Sequence, residues 1–276
     1  MSTPALLDIV DDEAHSSASI APDRGAIVTS FKVRGRELLD LDQATFVDPT
    51  KNVRGGIPIL FPAPGKLVED RWHCDGQSGH MKQHGFARLH AWTVSETTAR
   101  SVTLQLRSDA DTLAEYPWAF VATLQVSLAG PRLRLTMQID NTGASAMPFG
   151  LGYHPYFFVT DKRNARIDTD ATHQFDNVSK ATTAFTRFDL TANEVDLHML
   201  DQSARQMSLH LGDGSIIDVS ASTDFAHWVV WTVAGKDYVC VEPWTSPGNA
   251  LNSGERLLRL APGKSHRSFM EIALRT

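Results

Sequence analysis

Apolar and polar residues alternate with a period of two through much of this chain. Val102, Leu104 and Leu106 are followed by Leu124, Val126 and Leu128, then by Leu133, Leu135, Met137 and Ile139, with polar residues between them. Successive side chains of a strand point to opposite faces, so each run predicts a half-buried β-strand. Ala129-Gly130-Pro131-Arg132 separates the second run from the third, and Asp140-Asn141-Thr142-Gly143 closes the third. Both are turn chemistry, which predicts antiparallel hairpins. The same pattern recurs in residues 207–211 and 215–221 around Gly212-Asp213-Gly214, and in 228–233 and 238–241 around Ala234-Gly235-Lys236-Asp237. At the C-terminal end, Leu257, Leu258 and Leu260 precede Pro262-Gly263-Lys264, beyond which Met270, Ile272 and Leu274 alternate, predicting a last hairpin.

No segment carries a full helical stripe. The nearest is residues 109–115, ended by Pro117. The chain is therefore expected to be all-β, and strand signals repeating every ~8–12 residues point to a sandwich or barrel. Without a Pro/Gly/Ser-rich linker, residues 1–276 are expected to form a single domain, with 1–17 a loosely ordered N-terminal segment. Residues 58–83, rich in proline and glycine early and polar later, predict a long surface excursion of the kind that carries function on a rigid β scaffold.

Composition narrows the partners. A chain of 276 residues, 42% of them hydrophobic, can bury a large core. Its 32 acidic and 26 basic residues give a net charge of -6, and no basic run exceeds a pair, so nucleic acid is not an expected partner. No stretch approaches the ~18 consecutive apolar residues of a membrane span, so no membrane partner is expected either. The N-terminal region, with Asp8, Asp11, Asp12 and Glu13, has no basic start followed by an apolar run. Two cysteines, Cys74 and Cys240, cannot supply a disulfide framework. A cytoplasmic location is the expectation.

Several familiar motifs are absent. Gly263-Lys264-Ser265 has Leu258 where a phosphate loop needs glycine, Gly150-Leu151-Gly152 is not completed to a dinucleotide fingerprint, and no serine sits in a Gly-x-Ser-x-Gly elbow. His73, Cys74, His80, His84 and His90 are close in sequence, and His80 and His84 have the spacing of helical zinc ligands. Gly79 and Gly85 argue against a helix there, and Met81 stands where a metalloprotease would have its glutamate, so a histidine-bearing loop without metal is expected.

Three residues stand out. His84, in Gln83-His84-Gly85-Phe86-Ala87-Arg88, is either a turn residue or one whose flexible neighbour lets it approach a ligand. His154, followed by Pro155 and flanked by Tyr153, Tyr156 and Phe157, is held extended at a strand end or edge; it either packs in an aromatic cluster or lines a pocket. Glu242, between Val241 and Pro243-Trp244, is either an exposed strand-end carboxylate or a desolvated one with the raised pKa of a general base.

Four motifs occur in order: Arg54-Gly55-Gly56-Ile57-Pro58 with Phe61-Pro62; Gln83-His84-Gly85-Phe86-Ala87-Arg88; His154-Pro155-Tyr156-Phe157; and Cys240-Val241-Glu242-Pro243-Trp244 with Leu260-x-Pro262-Gly263. Together, over roughly residues 24–276, they resemble the aldose 1-epimerase (galactose mutarotase) superfamily, most closely its hexose-6-phosphate 1-epimerase-like branch. The resemblance implies a large antiparallel β-sandwich, the mutarotase-like supersandwich. It implies interconversion of the α and β anomers of an aldohexose or hexose 6-phosphate, with no cofactor and no metal. By the same resemblance Glu242 is the base, His154 the acid, and His84 a hydrogen-bonding partner of the sugar near the reacting oxygens. Gln83 and Tyr153, inside or beside these motifs, are expected to bind substrate. Arg54 and Arg88 match arginines near a sugar phosphate, with Lys66 as a third cation, although either arginine could equally bond loop carbonyls. Asp196 is preferred, with Asp224 as the alternative, for the aspartate that holds sugar hydroxyls. The expected partner is a small-molecule sugar or sugar phosphate, bound by a monomer or homodimer. The alternative function is a non-catalytic carbohydrate-binding or sensing module on the same fold.

Overall fold

In the computed structural model, which describes residues 4–276, the alternating runs become strands of two eight-stranded antiparallel sheets. The first runs, edge to edge, through Arg166–Asp168, Gln206–His210, Ile216–Ala221, Ser265–Arg275, Arg132–Asn141, Phe120–Leu128, Ser101–Arg107 and Thr93–Thr97. Its register brings like to like. Leu124 lies between Leu104 and Met137, and Leu135 between Val126 and Met270, all of them fully buried. Such apolar cross-strand pairs hold one sheet face to the core.

The second sheet is ordered Ala181–Ala184, His173–Asp176, Glu194–Met199, His227–Val233, Tyr238–Trp244, Gly152–Tyr153 and Ile59–Leu60, with Tyr156–Phe158 also pairing to Tyr238–Trp244. One of its faces, through Val195, Met199, Trp228, Val230, Val239 and Val241, joins the same apolar cluster as Leu124, Leu135 and Ile272 of the first sheet. This is the expected antiparallel β-sandwich. Among the described residues, helices are confined to Gln43–Val47, Ala110–Glu115 and Ala250–Ser253, together with three short 3-10 turns; the second lies on the nearest candidate stretch and is started by a capping box between Asp109 and Thr112. Among the described residues no helix is long and apolar enough to cross a membrane.

Three expectations are corrected. The N-terminal segment is ordered from Leu7 on: Leu7–Asp11 pairs with Ser16–Ala21 in a four-stranded sheet completed by Ile27–Val33 and Arg36–Glu37, because Ile9 and Ile20 are fully buried and Asp11 is bonded by the Gly130 N–H. Residues 1–3 lie outside the described residues. The C-terminal hairpin does not form. Leu258–Leu260 pairs with Met147–Phe149, whereas Ser265–Arg275 inserts between Arg132–Asn141 and Ile216–Ala221. An eleven-residue strand needs long neighbours to satisfy its backbone, and a three-residue strand would leave most of it unpaired. Residues 58–83 are not a surface excursion throughout. Ile59, Leu60 and Phe61 are buried, and Ile59–Leu60 is a strand of the second sheet; only the Arg71–Cys74 and Gln77–His80 hairpin stands out as predicted.

Leu135, fully buried, and Val94, 38% exposed on the edge strand, give a direct test of this layering. Leu135→Ala should lower unfolding free energy by about 2–5 kcal/mol in chemical denaturation. Val94→Ala should change it by no more than about 0.5 kcal/mol, and equal losses would contradict the assigned register.

Candidate active site

Period two delivers the site. On Glu194–Met199, Asp196 and His198 point one way; on His227–Val233, His227, Val229 and Trp231 do; on Tyr238–Trp244, Glu242 and Trp244 do. These same-side residues line a cleft of about 950 Å³, while their neighbours Val195, Trp228, Val230 and Val241 face the core.

Gly152 pairs with Trp244 and Tyr156 with Cys240, a register that sets His154 directly opposite Glu242. Backbone bonds show which kind of rung this is. The Thr245 N–H donates to the Leu151 carbonyl, whereas the His154 and Tyr156 N–H groups point away, to the Pro58 and Gly56 carbonyls. His154 and Glu242 therefore form a non-hydrogen-bonded pair, the kind whose side chains stand closest. The rungs on either side each lose a donor, because Pro155 and Pro243 have no N–H. His154 Nε2 lies 3.4 Å from Glu242 Oε1, and the Trp244 indole N–H donates to Glu242 Oε2 at 3.2 Å. Gly152 matters here: a Cβ on it would stand 2.7 Å from the Trp244 ring.

Both members of the pair are buried, Glu242 at 1% and His154 at 8% exposure. Burial pushes the Glu242 carboxyl well above its usual range; the charge of Asp196 adds to this and the Trp244 indole opposes it. Burial likewise holds the His154 imidazole well below its usual value, with His84 and Arg88 adding to the shift. Burial thus favours the uncharged form of each, a protonated Glu242 and a neutral His154, and two groups this close titrate as a coupled pair. His154 is oriented without a hydrogen bond at Nδ1, which is buried and unpartnered. Instead, Tyr156 stacks on its ring at 4.7 Å and 10°, and Trp231 and His84 meet it edge-on.

His84 sits at φ 73°, in the left-handed region that a non-glycine residue rarely occupies. It is held there by Gly85, whose Cβ position would fall 2.2 Å from the Phe61 carbonyl oxygen. Its Nδ1–H donates to the Pro64 carbonyl at 2.5 Å. Burial, with Arg88 second, lowers its pKa to about 4, so Nε2 is a lone pair, and the Gln83 amide nitrogen lies 3.3 Å from it.

Arg54, Lys66, Gln83, Arg88 and Asp196 also line the cleft. Arg88 Nη2 donates to the Gln83 carbonyl, but its Nε is buried without a partner. Arg54 lies over the Trp231 ring at 5.9 Å. Tyr153 is not there. It is fully buried, faces the core and packs on Phe225, since it is one residue out of phase with His154; Tyr156, in phase, lines the cleft instead. Asp224 does not line the cleft and lies 3.7 Å from His266, while Asp196 is bonded by Asn177 at 2.7 Å. Sequence inspection missed His198, His227 and Trp231; their signal was same-side spacing on the strands that carry Asp196 and face Glu242. His73, Cys74, His80, His84 and His90 form no ligand cluster among the described residues. Among the described residues the one group of metal-ligand type that converges is His154, Cys240 and Glu242, within 4.8 Å of one another. Burial raises the Cys240 thiol well above its usual pKa, which keeps it protonated and a weak ligand.

Residues 9–273 match the family model described as aldose 1-epimerase. The Slr1438 protein of Synechocystis sp. PCC 6803 is 37% identical with a TM-score of 0.96, over 100% of this chain and 97% of that one. A Cenchrus ciliaris protein named "Putative glucose-6-phosphate 1-epimerase" is 35% identical over 176 residues, 59% of this chain; the match spans 50% of that relative's length. A galactose mutarotase-like protein of Lactobacillus casei ATCC 334, at 20% identity and a TM-score of 0.81 over 98% of this chain and 100% of that one, shares the fold.

The Glu242 assignment predicts a pH-dependent stability difference. A carboxyl whose folded pKa is raised contributes stability below the unfolded value near 4.5 and loses it as pH rises through the folded pKa. Glutamine has no such proton to lose. The melting temperature of Glu242→Gln minus that of the wild type should therefore grow between pH 4.5 and pH 9, and a difference independent of pH would mean the carboxylate is solvated.

Proposed function

The chain belongs to the aldose 1-epimerase family, and on that premise we propose that it interconverts the anomers of a hexose 6-phosphate by acid–base ring opening, with Glu242 and His154 as the two catalytic groups. The observation that carries this reading is the buried His154–Glu242 pair, 3.4 Å apart on facing strands; in the proposed cycle the pair holds one proton. With that proton on His154, Glu242 is a carboxylate. It takes the proton of the C1 hydroxyl while His154 gives its proton to the ring oxygen, and the C1–O5 bond breaks as C1 becomes a carbonyl. The proton now sits on Glu242, the arrangement that burial favours. Rotation about C1–C2 presents the other carbonyl face, the O5 hydroxyl returns its proton to His154 as it attacks C1, and Glu242 protonates the new hydroxyl. No other group gains or loses a proton over the cycle, so the chemistry calls for no cofactor. The unpartnered Nδ1 makes the imidazolium costly to keep, which strengthens His154 as an acid. Neutral His84 lines the cleft, and its Nε2 lone pair, which faces the Gln83 amide in the free protein, accepts from a sugar hydroxyl that takes the place of that amide.

Phosphate recognition is supported by Arg88, a guanidinium whose Nε is buried and unpaired and which has no carboxylate partner among the described residues. Arg54 and Lys66 line the same cleft. The name of the Cenchrus ciliaris relative points the same way.

Following freshly dissolved α-glucose 6-phosphate and α-glucose by polarimetry tests both parts. Glu242→Gln and His154→Asn should each slow anomer exchange by ~10²-fold or more. Retained sugar binding by Glu242→Gln with loss of exchange separates a catalyst from a binding module; no acceleration by the wild type with any sugar would end the catalytic reading. The rate should fall on the acid side below the ordinary histidine value of 6.5, where the pair takes a second proton, and on the alkaline side where it loses its only one. Arg88→Ala should raise KM for the phosphorylated sugar roughly tenfold, as expected for losing a charge-assisted bond, and leave glucose little affected. Equal effects on both sugars would remove the phosphate assignment.

A further inference from the structure

Behind Asp196 stand two histidines that the acid–base chemistry does not use. His198 follows Asp196 by two on the same strand face, and its Nε2 lies 3.3 Å from Asp196 Oδ1. His227, diagonal to it on the next strand, places Nε2 2.7 Å from His198 Nδ1. Of the tautomers that the 2.7 Å bond between the rings allows, the one with the shared proton on His227 Nε2 leaves His198 Nδ1 accepting and its Nε2–H facing Asp196 Oδ1 at ion-pair distance. The other oxygen, Oδ2, accepts from Asn177 Nδ2 at 2.7 Å. Asn177 is itself fixed: its side-chain oxygen accepts from Lys180 Nζ at 2.6 Å, and its backbone N–H binds the Asp196 carbonyl at 2.8 Å. His227 is 3% exposed, at the cleft wall, and Trp244 packs against both imidazoles and holds the two rings in place. Each Asp196 oxygen is left with capacity for one more donor, on the cleft side.

We propose that His198 and His227 are positioning residues, a donor chain that aims the Asp196 carboxylate so that its two oxygens accept from two hydroxyls on adjacent carbons of the sugar. The substrate class this selects is a pyranose with a free vicinal diol. The inference rests on the sugar-epimerase reading above and deepens it.

The test compares the hexose that the wild type turns over with its 2-deoxy, 3-deoxy and 4-deoxy forms. His198→Leu should raise KM roughly tenfold, with kcat changed by less than about threefold, the scale of one lost bond to a charged group. His198→Gln, whose amide N–H can stand where Nε2–H stood, should recover most of that loss. For the deoxy sugar lacking a hydroxyl at Asp196, wild type and His198→Leu should share one KM. A uniform fall in kcat across all sugars, or no recovery with Gln, would assign the pair a merely structural role and overturn the proposal. Nitrogen-15 spectra of the imidazoles decide the donor chain without any turnover. Protons on Nε2 of both His198 and His227 support it, and a proton on His198 Nδ1 overturns it. Should the wild type act on no sugar, the epimerase reading fails on its own, and these spectra still decide the chain.

Discussion

Two missing backbone donors shape this site. Pro155 and Pro243 remove one N–H each from the rungs on either side of His154 and Glu242, and the His154 N–H turns away to Pro58. The rung between them is of the non-hydrogen-bonded kind, in which side chains approach most closely, so an acid and a base meet across a sheet without either element bending. Slipping either strand by one residue would send its own member of the pair into the core, where an unpaired carboxylate is prohibitive. Register, protonation and chemistry are in this way one constraint.

That constraint also explains the surroundings. A carboxyl at 1% exposure needs neighbours that tolerate its uncharged form and still support its ionised form. Trp244 supplies a single N–H to it, and the stacked face of Tyr156 and the edge-on ring of Trp231 enclose the imidazole without offering Nδ1 a partner. The aromatic residues around the pair therefore govern its proton affinity through what they withhold. His84 is handled differently: a carbonyl fixes its tautomer, and the strain of its left-handed backbone is borne by a close packing of Gly85 on Phe61.

Much of this was legible along the chain. The hairpins that turn at 129–132, 212–214 and 234–237 were placed correctly because both partners lie within a few residues of one another, and the sandwich followed from them; the turn at 140–143 instead leads to Met147–Phe149, which pairs with Leu258–Leu260. The final strand was not, since Ser265–Arg275 chooses neighbours more than a hundred residues and about fifty residues away, and local turn chemistry holds no information on that choice. Glu242 and His154 stood out by their prolines, yet the prolines suggested strand ends or an edge. Tyr238–Trp244 instead lies inside its sheet, and the proline is tolerated because the facing rung is open. Tyr153 was misplaced by a single step of alternation, which the mostly aromatic run Gly152-Tyr153-His154-Pro155-Tyr156, with no polar–apolar alternation, conceals. His198 and His227 carried no motif at all; only the pairing of their strands brings them together.

Because alternate residues of the three central strands serve the cleft and the core separately, the two can change independently. Substitution at 196, 198, 227, 229 or 231 alters what the cleft accepts, while 195, 197, 228 and 230 bear the packing that keeps the sheet in place. A lineage could exchange one sugar for another by altering every second letter of these strands, leaving the intervening letters, and with them the stability of the molecule, almost untouched.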